Sequence, residues 1–178
     1  MRISLILTVL NEAGSLPGLL DSILLQTRAP DEIVIVDGGS SDATMDLLRA
    51  AMNRLPLKVT SQPGANISQG RNTAIRESTG DIICSTDAGV RLDARWVEEL
   101  TRPFEELDAE GRGQTRIQKE NPASSAFVHV RSTDVVSGFF VPDTQGVFET
   151  ALAATTLPAL AGIRPDGFLP SSRSIAFR

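Results

Sequence analysis

The chain has 178 residues, 41% of them hydrophobic and 22% charged, with a formal net charge of −5. That composition suits one globular domain with a sizeable core, and the acidic balance excludes a broad basic footprint for nucleic acid. A small anionic ligand such as a nucleotide is still compatible, provided backbone N–H groups or a metal ion supply a local positive field.

The start, residues 1–7, is apolar but lacks a signal-peptide cleavage pattern and is soon interrupted by Asn11-Glu12. It reads as a first core strand, Ile3 to Val9, in a continuous apolar run of the doubly buried type. Leu16, Leu19, Leu20, Ile23 and Leu24 follow helical spacing, with Ser15 as N-cap and Pro17 in the tolerant first turn. Residues 32–36 are a second buried strand, followed by the polar turn Asp37-Gly38-Gly39-Ser40-Ser41-Asp42. Met45, Leu48, Met52 and Leu55 mark the next helix, and residues 57–60 a short third strand. Residues 64–70 read as a loop and 71–78 as a helix closed by Gly80 in a left-handed cap. Residues 81–85 form a fourth strand, and Trp96, Val97, Leu100 and Phe104 a fourth helix.

Beyond Leu107 the periodicity fades. Residues 108–125 read as a long polar loop, 134–141 as a strand, 145–157 as a helix, and 171–178 as a final alternating strand. One domain is expected over 1–178: a first half at 1–107, a loop or insertion at 108–133, and a smaller part at 134–178. No stretch approaches the roughly 20 apolar residues of a membrane span, so the expected location is cytoplasmic, the inner face of the membrane included. Cys84, the one cysteine, lies in an apolar run and is expected to be buried and inert. The lone His129 cannot build a zinc site with it.

Repeated strand–helix–strand units imply an α/β fold with a mainly parallel sheet. In such sheets ligands bind outside the carboxyl ends of the strands, which selects residues 8–12, 37–42 and 86–89. Asn11 and Glu12 can hydrogen-bond a polar ring or ribose, or simply start the helix. Asp37 can accept from a base N–H, while Ser41 or Asp42 can cap the following helix. Arg71, near a helix start, runs against the helix dipole and suits a phosphate partner. Asp87 at a strand end can ligate Mg²⁺ or Mn²⁺, or close a turn at Gly89. Neither a GxGxxG nor a Walker A loop is present.

Taken in order, Thr8-Val9-Leu10-Asn11-Glu12, Asp37-Gly38-Gly39-Ser40-Ser41-Asp42, the segment from Gly64 to Asn72, and Ser85-Thr86-Asp87-Ala88-Gly89 resemble family 2 glycosyltransferases of the GT-A fold. The resemblance covers residues 3–107 and extends to 134–140 and to Ser171-Ser172-Arg173-Ser174. It implies a three-layer GT-A-like sandwich that transfers a sugar from a UDP- or GDP-sugar to an acceptor hydroxyl, with inversion. It further implies that Thr8, Asn11, Glu12, Asp37, Gly39, Arg71, Asn72 and Asp87 line the nucleotide pocket. Asp87 would match the first aspartate of the metal-holding Asp-x-Asp motif. The chain departs from the pattern twice. Gly89 replaces the motif's last acidic residue, which thins the Mg²⁺ or Mn²⁺ site. The acidic base expected beyond Ser174 has no counterpart, which points to a truncated chain that holds donor and turns over poorly. A catalytically silent nucleotide-binding or assembly module is the alternative from another class. A nucleotidyltransferase would favour a glycine- and lysine-rich loop after the first strand, which residues 8–12 do not supply.

Overall fold

The computed structural model describes residues 1–110, 127–129, 135–138 and 174–178. In chain order the elements are β1 (Ile3–Val9), α1 (Leu16–Leu24), β2 (Glu32–Asp37), α2 (Thr44–Ala51), β3 (Leu57–Ser61), α3 (Ile67–Glu77), β4 (Ile82–Thr86), α4 (Trp96–Glu110), β5 (Phe127–His129), β6 (Val135–Gly138) and β7 (Ser174–Phe177). They build one sheet in the order β3-β2-β1-β4-β7-β6-β5. The first four strands are mutually parallel. β7 runs antiparallel to β4, β6 antiparallel to β7, and β5 antiparallel to β6. The expected α/β, mostly parallel architecture is what forms.

The largely apolar runs of β1 and β2, broken in β1 by Ser4 and Thr8, follow from burial on both faces. Ile3, Leu5, Leu7 and Val9, with Ile33 and Ile35, pack into one core with Leu16, Leu19 and Ile23 of α1, Leu48 of α2, and Trp96, Val97, Leu100 and Phe104 of α4. The opposite face carries Ile6, Val34 and Val36 against Ala74 of α3. Each fully buried leucine or isoleucine contributes about 1.5–3 kcal/mol, so this double core dominates the stability of the first half. Cys84 is buried in the larger core, and that burial pushes its thiol up to about 12, as expected of an inert cysteine. Beside β4 in the sheet, Ser174 Oγ of β7 accepts from Trp96 Nε1 at 2.9 Å, which fastens α4 to β7.

Several local expectations are corrected. Residues 67–70 are helical rather than loop, because Asn66 and Gln69 form a reciprocal capping box that starts α3 at Ile67. Asn66 Oδ1 accepts from Gln69 N at 2.9 Å and Gln69 Oε1 from Asn66 N at 3.0 Å. Gly80 is not a left-handed cap, since α3 ends through Ser78 in extended conformation. The glycine is there for contact: a Cβ on it would lie 2.5 Å from Ser4 Oγ and 2.7 Å from Ser4 N. Ser15 stands at the N-cap of α1 without a side-chain cap bond, because its hydroxyl is turned to the Glu12 carboxylate. The N-cap of α2 is Ala43 rather than Ser41 or Asp42. α4 continues to Glu110, and β5 lies inside the segment expected to be loop. The expected helix at 145–157 lies outside the described residues. No helix among the described residues is long and apolar enough to cross a membrane.

Candidate functional site

The carboxyl ends of β1, β2 and β4 bring the sequence-selected segments to one edge of the sheet. β1 and β2 end in register, Val9 beside Asp37, so the turns that follow them lie side by side and brace each other. Gly38 N donates to Val9 O at 2.9 Å. Asn11 N donates to Ser40 Oγ at 2.9 Å, and Asn11 Oδ1 accepts from Ser41 N at 2.8 Å. Glu12 N donates to Thr44 Oγ1 at 2.8 Å, and Ala13 N to Asp42 Oδ2 at 3.0 Å. The lattice holds Asn11 at φ 55, a left-handed conformation that asparagine tolerates better than most residues.

Asp37 is buried, with 1% of its surface exposed. Its carboxylate accepts from Gly39 N at 3.0 Å, from Ser40 N at 3.1 Å and from Ser40 Oγ. It therefore sets the turn it precedes, a structural task the sequence did not reveal. Gly39 sits at φ +100 with Pro63 against it, where a Cβ would come within 3.1 Å of Pro63 Cα. Only glycine meets both conditions at low cost. Asp42 is exposed, and its carboxyl is held below the ordinary value by the Thr44 hydroxyl first, then by the N–H groups of Thr44 and Ala13.

α3 crosses the other side of this edge and rests on β1 through Gly70. A Cβ there would lie 2.8 Å from Thr8 Cγ2, so the glycine sets how close helix and strand come. Half-buried Thr8 is thus a packing surface for α3. One position on, Arg71 reaches the end of β4, where its Nη2 donates to Asp87 Oδ1 at 2.9 Å. The pair is partly shielded, with side chains 18% and 34% exposed. Asn72, beside it, is exposed. Three buried polar atoms nearby in the chain, Arg71 Nε, Ser85 Oγ and Thr86 Oγ1, have no hydrogen-bond partner among the described residues. Ser85 and Thr86 are completely buried; the sequence places both in the motif at the end of the strand but assigns neither a role. Their only signal was two adjacent hydroxyls at the end of an otherwise apolar strand.

The structure thus joins the predicted residues as two constellations. Thr8, Asn11, Glu12, Asp37 and Gly39 belong to the braced β1–β2 turns, and Arg71, Asn72 and Asp87 to the junction of α3 and β4. As for a metal, Asp87 is the one carboxylate of its segment, it is engaged by Arg71, and Gly89 offers no side chain. No group of three histidine, cysteine or acidic residues among the described residues could hold an ion. Since Mg²⁺ and Mn²⁺ need several oxygen ligands, this donor set does not fit an ion held by the described residues alone.

Residues 4–151 match the sequence profile described as Glycosyl transferase family 2. An undecaprenyl-phosphate 4-deoxy-4-formamido-L-arabinose transferase from Serratia proteamaculans is 31% identical over 119 residues, which cover 59% of this chain and 34% of the relative. A solved structure of Staphylococcus aureus TarS with UDP-GlcNAc superposes with TM-score 0.56 at 22% identity, covering 68% of this chain and 39% of that one. A mannosyltransferase from Pyrobaculum calidifontis, solved with GDP-Man and Mn²⁺, gives TM-score 0.54 at 29% identity, covering 67% and 36%. These likenesses bear out the expected GT-A-like architecture. The matched region spans about a third of the length of most of these proteins.

Proposed function

Because the chain belongs to glycosyl transferase family 2, we propose that its described half is the donor-binding side of a transferase that uses a UDP- or GDP-sugar. The observation that carries this reading is the convergence of four separate segments on the carboxyl edge of the sheet, two joined by the braced β1–β2 turns and two by the Arg71–Asp87 pair. That edge is where open α/β sheets take ligands. In this reading the braced turns form a rigid floor for the nucleoside, with Thr8, Asn11, Glu12, Asp37 and Gly39 lining it. Asp37 acts mainly by fixing the turn whose backbone meets the base. Arg71 and Asn72 face the ribose and diphosphate, with Asp87 holding the guanidinium in place.

The reaction proposed is inverting transfer to an acceptor hydroxyl. A base takes the acceptor's proton as it attacks the anomeric carbon, and the nucleoside diphosphate departs. The chain's contribution at this edge is to orient the donor and to stabilise charge on the leaving diphosphate with fixed donors. That task falls to these fixed donors, because the described side chains do not fit a Mg²⁺ or Mn²⁺ ion. The proposed setting is the cytoplasm. Calorimetry of the 178-residue chain with UDP and with GDP tests the reading. Saturable binding of one of them is expected, weakened about 10-fold by Asn72→Ala, the size of effect expected for losing one hydrogen bond to a charged group. No heat with either nucleotide would overturn it in favour of a structural module.

A further inference from the structure

We infer that Arg71, locked by Asp87, is the cation that this chain offers to the donor diphosphate, and that donor binding needs no divalent metal. The inference rests on the donor-site reading above and departs from the metal expected by resemblance.

Two observations carry it. The first is the poverty of oxygen ligands at the end of β4. Asp87 is the sole acidic side chain between Ile82 and Leu92. Gly89, two residues on, contributes no side chain, although a Cβ there would meet no atom of the described residues within 4 Å. Among the described residues, nothing fills the place a second carboxylate would take. The second is the placement of Arg71. Its Nη2 is committed to Asp87 Oδ1 at 2.9 Å, while its Nε is buried without a hydrogen-bond partner among the described residues. A buried guanidinium N–H left without an acceptor is costly unless a ligand or water completes it.

The two observations oppose a metal in the same way. An ion ligated by Asp87 at ~2.1 Å would sit beside a guanidinium already bonded to the same carboxylate, and like charges would be pressed together. A diphosphate reverses that relation. Its oxygens accept from a planar, always-charged fork whose direction the Asp87 contact has already fixed. The chain thereby replaces a bound ion with a preorganised side chain, at the cost of the charge that Asp87 cancels.

Calorimetry with UDP and GDP, in EDTA and in millimolar Mn²⁺, tests this on the full 178-residue chain. Dissociation constants that agree within about twofold between the two conditions are expected, since neither partner changes. The amplitude of free Mn²⁺ in electron paramagnetic resonance should be unchanged by the protein–nucleotide mixture. Arg71→Met should weaken binding at least ~10-fold in both conditions, and Arg71→Lys should weaken it less, since it keeps the charge and loses the fork. Gly89→Asp should introduce Mn²⁺-dependent tightening. Binding that appears only with Mn²⁺ would overturn the inference. So would undiminished binding by both Arg71 variants at an unchanged melting temperature. Absence of nucleotide binding in both conditions would instead overturn the donor-site reading itself.

Discussion

The two ends of the central strands use similar residues to opposite effect. At the amino edge, acidic side chains are consumed by the fold. Asp81 accepts from Arg2 N at 2.7 Å, Asp31 from Ile3 N at 2.8 Å, and Glu32 from the Ser4 and Thr79 hydroxyls. Gly80 is pressed against Ser4 with no room for a methyl group. At the carboxyl edge the turns are just as firmly braced, but among the described residues buried donors on Arg71, Ser85 and Thr86 are left over, and none of those residues comes within 4 Å of a Cβ built on Gly89. The lesson is that bracing alone does not mark a site. What separates the two edges is polar capacity that the described residues do not use.

The sharpest way to break this contrast is Gly80→Ala. Its new methyl group would meet the backbone at Ser4 N and Arg2 O as well as the Ser4 hydroxyl, and that backbone cannot move without shifting β1. Overpacking of this kind should cost about 3 kcal/mol and lower the melting temperature by roughly 10 °C in a chain of this size. Nucleotide affinity of the folded protein should be unchanged, because the defect lies at the opposite end of the strands. A fall in affinity larger than the loss of folded protein explains would show that the two edges are not independent.

The fold was more legible in the sequence than the site. Runs such as Ile33-Val34-Ile35-Val36 are apolar because both faces are covered, and that pattern does not depend on distant partners. The start of α3 is hidden in the polar stretch at 64–70, where the spacing of three between Asn66 and Gln69 is a capping box. Gly80 was misread for a related reason: a glycine after a helix suits a left-handed turn, and only the tertiary approach of Ser4 shows that lack of volume is what matters. At the proposed site, the carboxyl-end rule points to segments that the structure does bring to one edge. The division of labour there was hidden. Asp37 looked like a ligand group because nothing in the sequence shows that Gly39 and Ser40 turn back onto its carboxylate. Arg71 was singled out as a misfit to the helix dipole, yet its tie to Asp87 spans 16 residues and leaves no local signature.

Glu32 offers a smaller effect at the amino edge. Burial pushes its carboxyl up, but hydrogen bonds from Ser4 and Thr79 and the Arg2 charge outweigh burial and hold it below the ordinary 4.5. A carboxyl depressed in the folded state contributes stability above its unfolded value, and that stability is lost as pH falls through the folded value. Denaturant titrations between about pH 6 and pH 3 should therefore show stability falling with acid, more steeply in the wild type than in Glu32→Gln. At neutral pH the variant should lose about 1–2 kcal/mol, the cost of weakening a half-buried acceptor. Equal pH slopes would show that Glu32 is not one of the groups that couple folding to protons. The amino edge would then be less tightly bound to its carboxylates than the geometry implies.

The smallest effect should come from Gly89→Ala, the same chemical change as Gly80→Ala made at the other end of β4. No atom of the described residues lies within 4 Å of the added carbon, and the backbone there is outside the left-handed region. The substitution therefore removes freedom from the unfolded chain without a steric penalty in the folded one. It should leave stability unchanged or raise it by up to about 1 kcal/mol. Nucleotide binding should also persist, since a methyl group adds neither a ligand nor a charge, whereas Gly89→Asp would add both. A clear loss of stability in Gly89→Ala would mean that the space beside Asp87 is filled in the folded protein. A loss of nucleotide affinity at unchanged stability would mean that the donor itself packs against this glycine.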